Sequence, residues 1–441
     1  MNKKLIISLS IISIVTTIVI GGTIAYFNDT ETSTGNTFTA GAIDLKVDNT
    51  SYYNGELNND LTWTSKDLEQ GDLFFDFHDL KPGDWGEDTI SLIVDNNDAW
   101  ACMDFNLYNV DDNELVEPEQ VAGDITDGPG RGELQNYINF VWWADDGDNV
   151  LETGQEEASA IQKSLAEMNA LSLSLSDSVE GFLAGGPLEG EAIYHIGKAW
   201  CFGNLTLDPV TQGKGVDPTV DPGINCDGTV VDNIPQSDSV QGTLSFRAIQ
   251  SRNNDQFVCE SLCSIISFAD SLEEVDGDTS TWSSNDSTVN LSQTSWSLLG
   301  GGATVYGYKN GGAYNLTHRL TRGLGVSGGE EDEVDDPERI EIVFLSSVYI
   351  NEFEIRSLFE ESTGEEEADV ELYNGSTPVA TYHLTAEQSG GDGVLKTFGT
   401  NQPVDKIVFY VKSGQSYTAN SEFAVGKLRV CPAEYLTTII E

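Results

Sequence analysis

Apolar and polar residues alternate at a spacing of two in segment after segment of this chain, a period that β-strands satisfy and helices do not. Ile43, Leu45 and Val47 fall on one face of a short run, with Asp44, Lys46 and Asp48 on the other. The stretch "LFFDFHDLKPGDWGEDTISLIVDNNDAWACMDFNLYNV" reads as three strands separated by turns at Pro82-Gly83 and Asn96-Asn97. Proline presets φ at the first central position of such a turn, and glycine accepts positive φ at the second. "NYINFVWWADD", "AIYHIGKAWCFGNLTL" and "VQGTLSFRAIQSRNN" continue the series to about residue 258. A second series fills residues 263–441, with "ATVYGY", "IEIVF", "VYINEFEI", "DVELYN", "ATYHL", "KIVFYV" and "FAVGKLRV" separated by Gly-rich or acidic turns, the pattern of a β-sandwich. One stretch breaks the period. "EEASAIQKSLAEMNAL" sets Ile161, Leu165 and Met168 at helical spacing with Glu, Gln and Lys opposite, which predicts a single amphipathic helix inserted among the strands. At 441 residues the chain exceeds one small core, so the expectation is all-β with two domains.

The first residues bear on compartment. Lys3 and Lys4 precede an uninterrupted apolar run over residues 5–20, and Gly21-Gly22-Thr23 follows, as in a secretory signal peptide. Residues 5–27 are also long enough for an uncleaved membrane anchor. The flank favours cleavage near Ala25, Tyr26 or Phe27, because Asn28, Asp29 and Glu31 follow rather than a basic stop-transfer segment. Residues 1–26 are thus read as a leader and the protein as secreted. Its six cysteines are then expected in disulfides. Cys263 and Cys431 bracket the C-terminal part, and Cys201 and Cys226 flank a loop rich in Pro and Gly, which leaves Cys102 with Cys259. None has the CxxC spacing of a zinc site.

Charge excludes one class of partner. Lys and Arg total 21 against 73 Asp and Glu, a net charge of -52 that repels nucleic-acid phosphates and anionic membranes. The acidic residues are interleaved with aromatics, so they read as the surface of a folded protein, suited to divalent cations or to a saline habitat.

Catalytic motifs are missing. The four histidines, His78, His195, His318 and His383, are isolated from one another, with no HExxH in the chain and no GxSxG elbow that has an obvious His partner. The best local chemical site is "WADDGDNVLETGQEE", where Asp145, Asp146, Asp148 and Glu152 surround the flexible Gly147. Calcium, which takes six to eight oxygens, is the ion expected there, although the spacing is not that of an EF-hand and a solvated acidic turn is the plainer alternative. In the C-terminal series, Trp282, Trp296, Tyr306, Tyr308 and Tyr314 are candidates for stacking on sugars, or simply core aromatics.

"GGTIAYFNDTETSTGNTFTAGAIDLKVD", residues 21–48, and "DLKPGD", residues 79–84, resemble the TasA/camelysin (CalY) family of secreted biofilm-matrix and fibre proteins, whose leaders a SipW-type signal peptidase removes. The resemblance implies a jelly-roll-like β-sandwich over residues 27–258, followed here by a second β-sandwich at 263–441. "LGVSGGEEDEVDDPERIEIVF" in that second part is similar to segments of β-sandwich modules in exported surface proteins. Some family members polymerise by donating the segment after the cleavage site to the next subunit as an extra strand, and Phe38, Ile43, Leu45 and Val47 would be its plugs. The alternative is that residues 37–47 form the first strand of the chain's own sandwich. The expected function is a secreted, non-enzymatic structural protein of the cell surface or biofilm matrix, with copies of itself, matrix proteins or surface glycans as partners. A monomeric adhesin binding glycan through residues 263–441 comes second. Camelysin-like members have been classed as metalloendopeptidases, and that reading comes third because the motif is missing.

Overall fold

The first described strand is already an interior one. β1 (Asp44–Tyr53) lies between β2 (Glu56–Lys66) and β3 (Trp85–Asp95), antiparallel to both, with Leu45 opposite Val94 and Val47 opposite both Leu92 and Lys66. The chain divides into Met1–Ile43 and Asp44–Glu441. The structure, a computed structural model, describes residues 44–69, 72–211, 218–260, 263–268, 288–291, 302–319, 323–327, 333–361, 364–386, 388, 393–400, 402–411 and 422–432.

β3 ends at Asp95, Asn96 at φ 75° begins the tight return, and β4 (Ala99–Asp112) runs back. Gly83 at φ 95° sits in a turn just before β3, but residues 73–80, expected as a strand leading into that turn, form no strand. There follow β5 (Ile138–Asp145), β6 (Ile161–Ser164), β7 (Leu171–Ser176), β8 (Ile193–Phe202), β9 (Asn204–Leu207), β10 (Ile224–Asp227) and β11 (Asp238–Gln250). They form a six-stranded sheet in the order β2-β1-β3-β8-β5-β6, a three-stranded sheet β11-β4-β7, and the hairpin β9–β10. Ile90, Leu92 and Val94 of β3 and Ala101, Met103 and Phe105 of β4 are buried, and so are Ser91, Cys102 and Asp104 between them, so both strands are covered on both faces.

The predicted helix over 156–171 is not one helix. Gln155–Ser159 makes a short helix, Ile161–Ser164 turns into strand β6 and pairs with Asn139–Trp142 of β5, and Leu165–Met168 makes one further helical turn. Ser164 caps that turn, its hydroxyl accepting from Glu167 N at 3.2 Å while the Glu167 carboxylate accepts from Ser164 N at 2.8 Å. Leu165 and Met168 are buried as the spacing implied, but the unpaired edge of β5 takes the middle of the segment. Helical periodicity in so short a stretch yields to available sheet hydrogen bonds.

The second β-series comprises β12 (Ser264–Ser267), β13 (Thr288–Leu291), β14 (Ala303–Lys309), β15 (Gly312–Ala313), β16 (Leu316–Arg319), β17 (Gly323–Val326), β18 (Val334–Asp335), β19 (Glu338–Arg356), β20 (Glu360–Glu361), β21 (Gly364–Glu365), β22 (Glu367–Asn374), β23 (Thr377–Thr385), β24 (Val394–Phe398), β25 (Val404–Tyr410) and β26 (Glu422–Pro432). The 19-residue β19 organises it. Its first half pairs with β14 and β25, its second half with β24 and β26, and the exposed residues 345–347 mark the change of partners. A strand that exchanges neighbours midway wraps its sheet around one core, here including Val305, Ile342, Phe353, Phe409 and Leu428.

Three disulfides join Cys102 to Cys259, Cys201 to Cys226 and Cys263 to Cys431. The two β-series meet through polar contacts as well. Asn351 of β19 donates to Leu107 O at 2.8 Å and to Asn169 Oδ1 at 2.9 Å, while Leu107 N donates to the same Asn169 oxygen at 3.0 Å. Among the described residues no helix is long and apolar enough to cross a membrane.

Candidate functional site

The acidic loop begins where β5 ends. Asp145 stands opposite His195 of β8 in the sheet register. Its Oδ1 accepts from the indole of buried Trp143 at 3.1 Å, and its Oδ2 from Gly147 N at 3.1 Å and Asn149 N at 3.2 Å. Gly147 sits at φ 111°, and a Cβ there would come within 3.2 Å of the His195 ring, so conformation and space both call for glycine. Farther along, Glu156 Oε1 accepts from Asp146 N at 3.1 Å and its Oε2 from Glu152 N at 2.9 Å. Asp148 Oδ1 accepts from Val150 N at 3.1 Å. Asp145, Asp146 and Asp148 bring oxygens within 4.8 Å of one another, and so do Asp146, Glu152 and Glu156. The four acids read from the sequence thus divide between two groups that share Asp146, with Asp145 and Asp148 in one and Glu152 in the other, and the structure adds Glu156 to the second. Nothing in "GQEE" distinguishes buried Glu156 from its exposed neighbour Glu157 before the chain folds. Burial pushes Asp145 up to about 6 and Glu156 up to about 7 against the backbone donors that oppose it.

A second cluster was not legible in the sequence. Asp112 closes β4 and Asp238 opens β11, and the two are direct cross-strand partners. Glu119 reaches them from the short helix Glu117–Ala122, and the three offer oxygens within 4.8 Å of one another. Like charges directly opposite in a ladder repel. Glu119 is held by Val116 N at 2.6 Å and the Ser237 hydroxyl at 3.1 Å. Asp238 Oδ2 accepts from Glu133 N at 2.5 Å and Leu134 N at 2.9 Å, and Asp112 Oδ1 from Glu114 N at 3.1 Å. The Thr126 hydroxyl lies 2.9 Å from Asp124 Oδ1 and 2.8 Å from Glu133 Oε1. Four carboxylate oxygens remain buried without a hydrogen-bond partner: Asp112 Oδ2, Asp124 Oδ2, Glu133 Oε2 and Asp238 Oδ1. Burial, with the charges of Glu119 and Asp124 behind it, pushes Asp112 up to about 6. Burial likewise takes Asp238 to about 7 and Glu133 to about 8.

The core of the first sandwich contains an ion pair. Lys198 Nζ lies 2.6 Å from Asp88 Oδ2, both fully buried, with the ammonium 3.7 Å from the Phe75 ring centroid and Asn49 Nδ2 3.3 Å from Asp88 Oδ1. Burial pulls Lys198 below the usual lysine range, while Asp88 opposes the shift. The aromatic face and the carboxylate offset only part of the lost hydration.

The histidines are dispersed. His78 pairs with Asp76 at 3.2 Å, His195 Nδ1 with Ser91 Oγ at 2.9 Å, and His383 with Asp369 at 3.1 Å and Glu367 at 3.2 Å. The side chain of His318 lies outside the described residues. Among the described residues the groups able to hold an ion contain carboxylates only, which fit a hard cation and do not fit the His-bearing zinc site of a peptidase. Of the expected assembly residues, Leu45 and Val47 belong to β1, paired on both sides, while Phe38 and Ile43 lie outside the described residues. Tyr306 stacks on Tyr308 at 6.4 Å, and the Arg339 guanidinium covers Tyr308 at 4.4 Å. Tyr314 is exposed beneath Lys309, and Trp282 and Trp296 lie outside the described residues.

Fold and sites together define an all-β protein of two sandwiches bearing carboxylate clusters. Residues 1–98 match the family model described as camelysin metallo-endopeptidase, a stretch that contains both segments carrying the TasA/camelysin resemblance. No curated protein sequence matches the chain. Among solved structures, a mutant of the lectin binding domain of Lectinolysin complexed with Lewis b is 12% identical over 23% of this chain and 70% of that chain, with a TM-score of 0.18. Allantoicase from Saccharomyces cerevisiae is 10% identical over 80% of this chain and 79% of its own, with a TM-score of 0.17. The CBM32-1 and CBM32-2 domains from Clostridium perfringens ZmpB are 10% identical over 88% and 92%, with a TM-score of 0.16. Such low scores carry no assignment of function.

Proposed function

We propose that this is a secreted structural protein of the cell surface or biofilm matrix that assembles by receiving the N-terminal segment of another copy as an added strand. The observation that carries the reading is the open edge of the first sandwich. β11 runs for 13 residues and, among the described residues, pairs with β4 alone. A long strand paired on one side offers a row of backbone donors and acceptors to an incoming chain. The segment between the expected cleavage point and β1, residues 27–43, is longer than β11 and contains Phe38 and Ile43. Leu45 and Val47 are occupied in the protein's own sheet, so the donated plugs are Phe38 and Ile43. Secretion follows from the leader and is compatible with three disulfides. The dispersed histidines favour a structural role over peptidase chemistry.

The test is electron microscopy of the protein beginning at Phe27 beside a truncation beginning at Asp44, which leaves β1 whole. Fibres from the first and none from a folded second support strand donation. Fibres from both place assembly elsewhere, and monomers from both at every concentration and calcium level overturn it.

A further inference from the structure

We propose that Asp112, Glu119 and Asp238, completed by Asp124 and water, hold one hard divalent cation of the calcium class at the end of the β4–β11 ladder. The inference does not depend on fibre assembly or on the acidic loop. Its first support is convergence: three carboxylates from three elements bring oxygens within 4.8 Å of one another. The second is independent of the grouping. Asp112 is only 1% exposed and Asp124 only 6%, yet each keeps a buried oxygen with no donor. A buried carboxylate oxygen without a partner costs the full desolvation of that group, and four in one neighbourhood is a large debt to leave standing. The available base does not meet it. Arg131 is buried close by, but its Nη2 donates to Gln388 O at 3.0 Å and its Nη1 has no hydrogen-bond partner. A divalent ion would supply charge and coordination together, and an all-oxygen donor set selects calcium over zinc.

The position gives the ion a consequence. Asp111, next to Asp112, accepts from Gly130 N at 2.8 Å, and Gly130 O accepts from Phe398 N at 3.4 Å in the second β-series. Gln388 Nε2 donates to Asp127 O at 3.4 Å, so residues 127–131 both adjoin the cluster and touch the second sandwich. An ion that fixes the end of β4 therefore also fixes the seat of this contact.

The experiment uses the secreted full chain, stripped with chelator and titrated with calcium chloride by calorimetry and thermal unfolding in about 0.15 M salt, which screens the surface acids. Extracellular calcium sites fill at about 10⁻⁴–10⁻³ M, which sets the range. The wild type is expected to bind calcium and to melt higher with it. Asp112→Asn with Asp238→Asn should melt higher than wild type without calcium, because the repulsion is gone, and should lose the calcium-dependent rise. Asp146→Asn with Asp148→Asn, in the acidic loop, should keep it. A wild type indifferent to calcium, or a response that survives the first double variant, overturns the assignment. Should that variant fail to fold, anomalous scattering from calcium-soaked wild-type crystals decides: density among Asp112, Glu119 and Asp238 supports the site, and density elsewhere or none rejects it.

Discussion

The acidic loop at residues 145–156 and the cluster at Asp112, Glu119 and Asp238 use the same side chains under different constraints. In the loop, carboxylates meet backbone N–H groups of their own turn: Asp145 receives Gly147 and Asn149, and Glu156 receives Asp146 and Glu152. The acids there shape the chain. In the cluster, strand register forces Asp112 against Asp238, and each is left with one buried oxygen that nothing reaches. A sequence rich in acidic residues thus does not reveal which of them have work left to do. That is decided by the donors the fold brings to them.

The sharpest way to break the loop is from beneath. A Cβ on Gly197 of β8 would come within 2.0 Å of Trp143, the ring whose indole orients Asp145, so Gly197→Ala should cost about 3 kcal/mol in denaturant unfolding. Asp145→Ala removes the acceptor of one indole and two backbone donors, with an expected loss of about 2 kcal/mol that calcium does not change. A loss that calcium deepens would show the loop to be an ion site as well.

A third prediction concerns pH. Asp112, Asp238 and Glu133 have folded values of about 6, 7 and 8, above an unfolded carboxylate near 4. The folded state therefore binds more protons, so the contribution of these groups is full below about pH 4 and is lost as pH rises through about 6 to 8. Facing them are Glu119, Asp124, Asp127 and Arg131, and the loop adds Asp145 and Glu156 with the same sign. The metal-free protein should melt several degrees lower at pH 8 than at pH 5. Asp112→Asn with Asp238→Asn should keep only the remainder of that slope. Equal slopes in the two proteins would mean that the cluster does not hold its protons. Smallest of all, Asp146→Asn changes an exposed side chain and should shift stability by less than about 0.5 kcal/mol.

Much of the fold was readable because strands announce themselves by period two and turns by residue type. Asn96 falls where the chain reverses between β3 and β4, and Leu45 and Val47 fall in a strand as their alternation requires, whereas the strand expected before Pro82-Gly83 is not formed. The segment with Ile161, Leu165 and Met168 was misread because three apolar residues fit a helical stripe equally well, and only the exposed edge of β5 made its middle a strand. At the sites, Asp145, Asp146, Asp148 and Glu152 were visible because they are neighbours in sequence. Asp112, Glu119 and Asp238 were not, since no local pattern links the end of one strand, a helical turn and the start of a distant strand.

By itself the sequence determined the all-β class, the net negative charge and the disulfide-forming cysteines, because each rests on composition or on residues close along the chain. Tertiary structure alone decided which carboxylates lose water and which regain a partner, because burial and donor supply arise only when distant strands pair in one register.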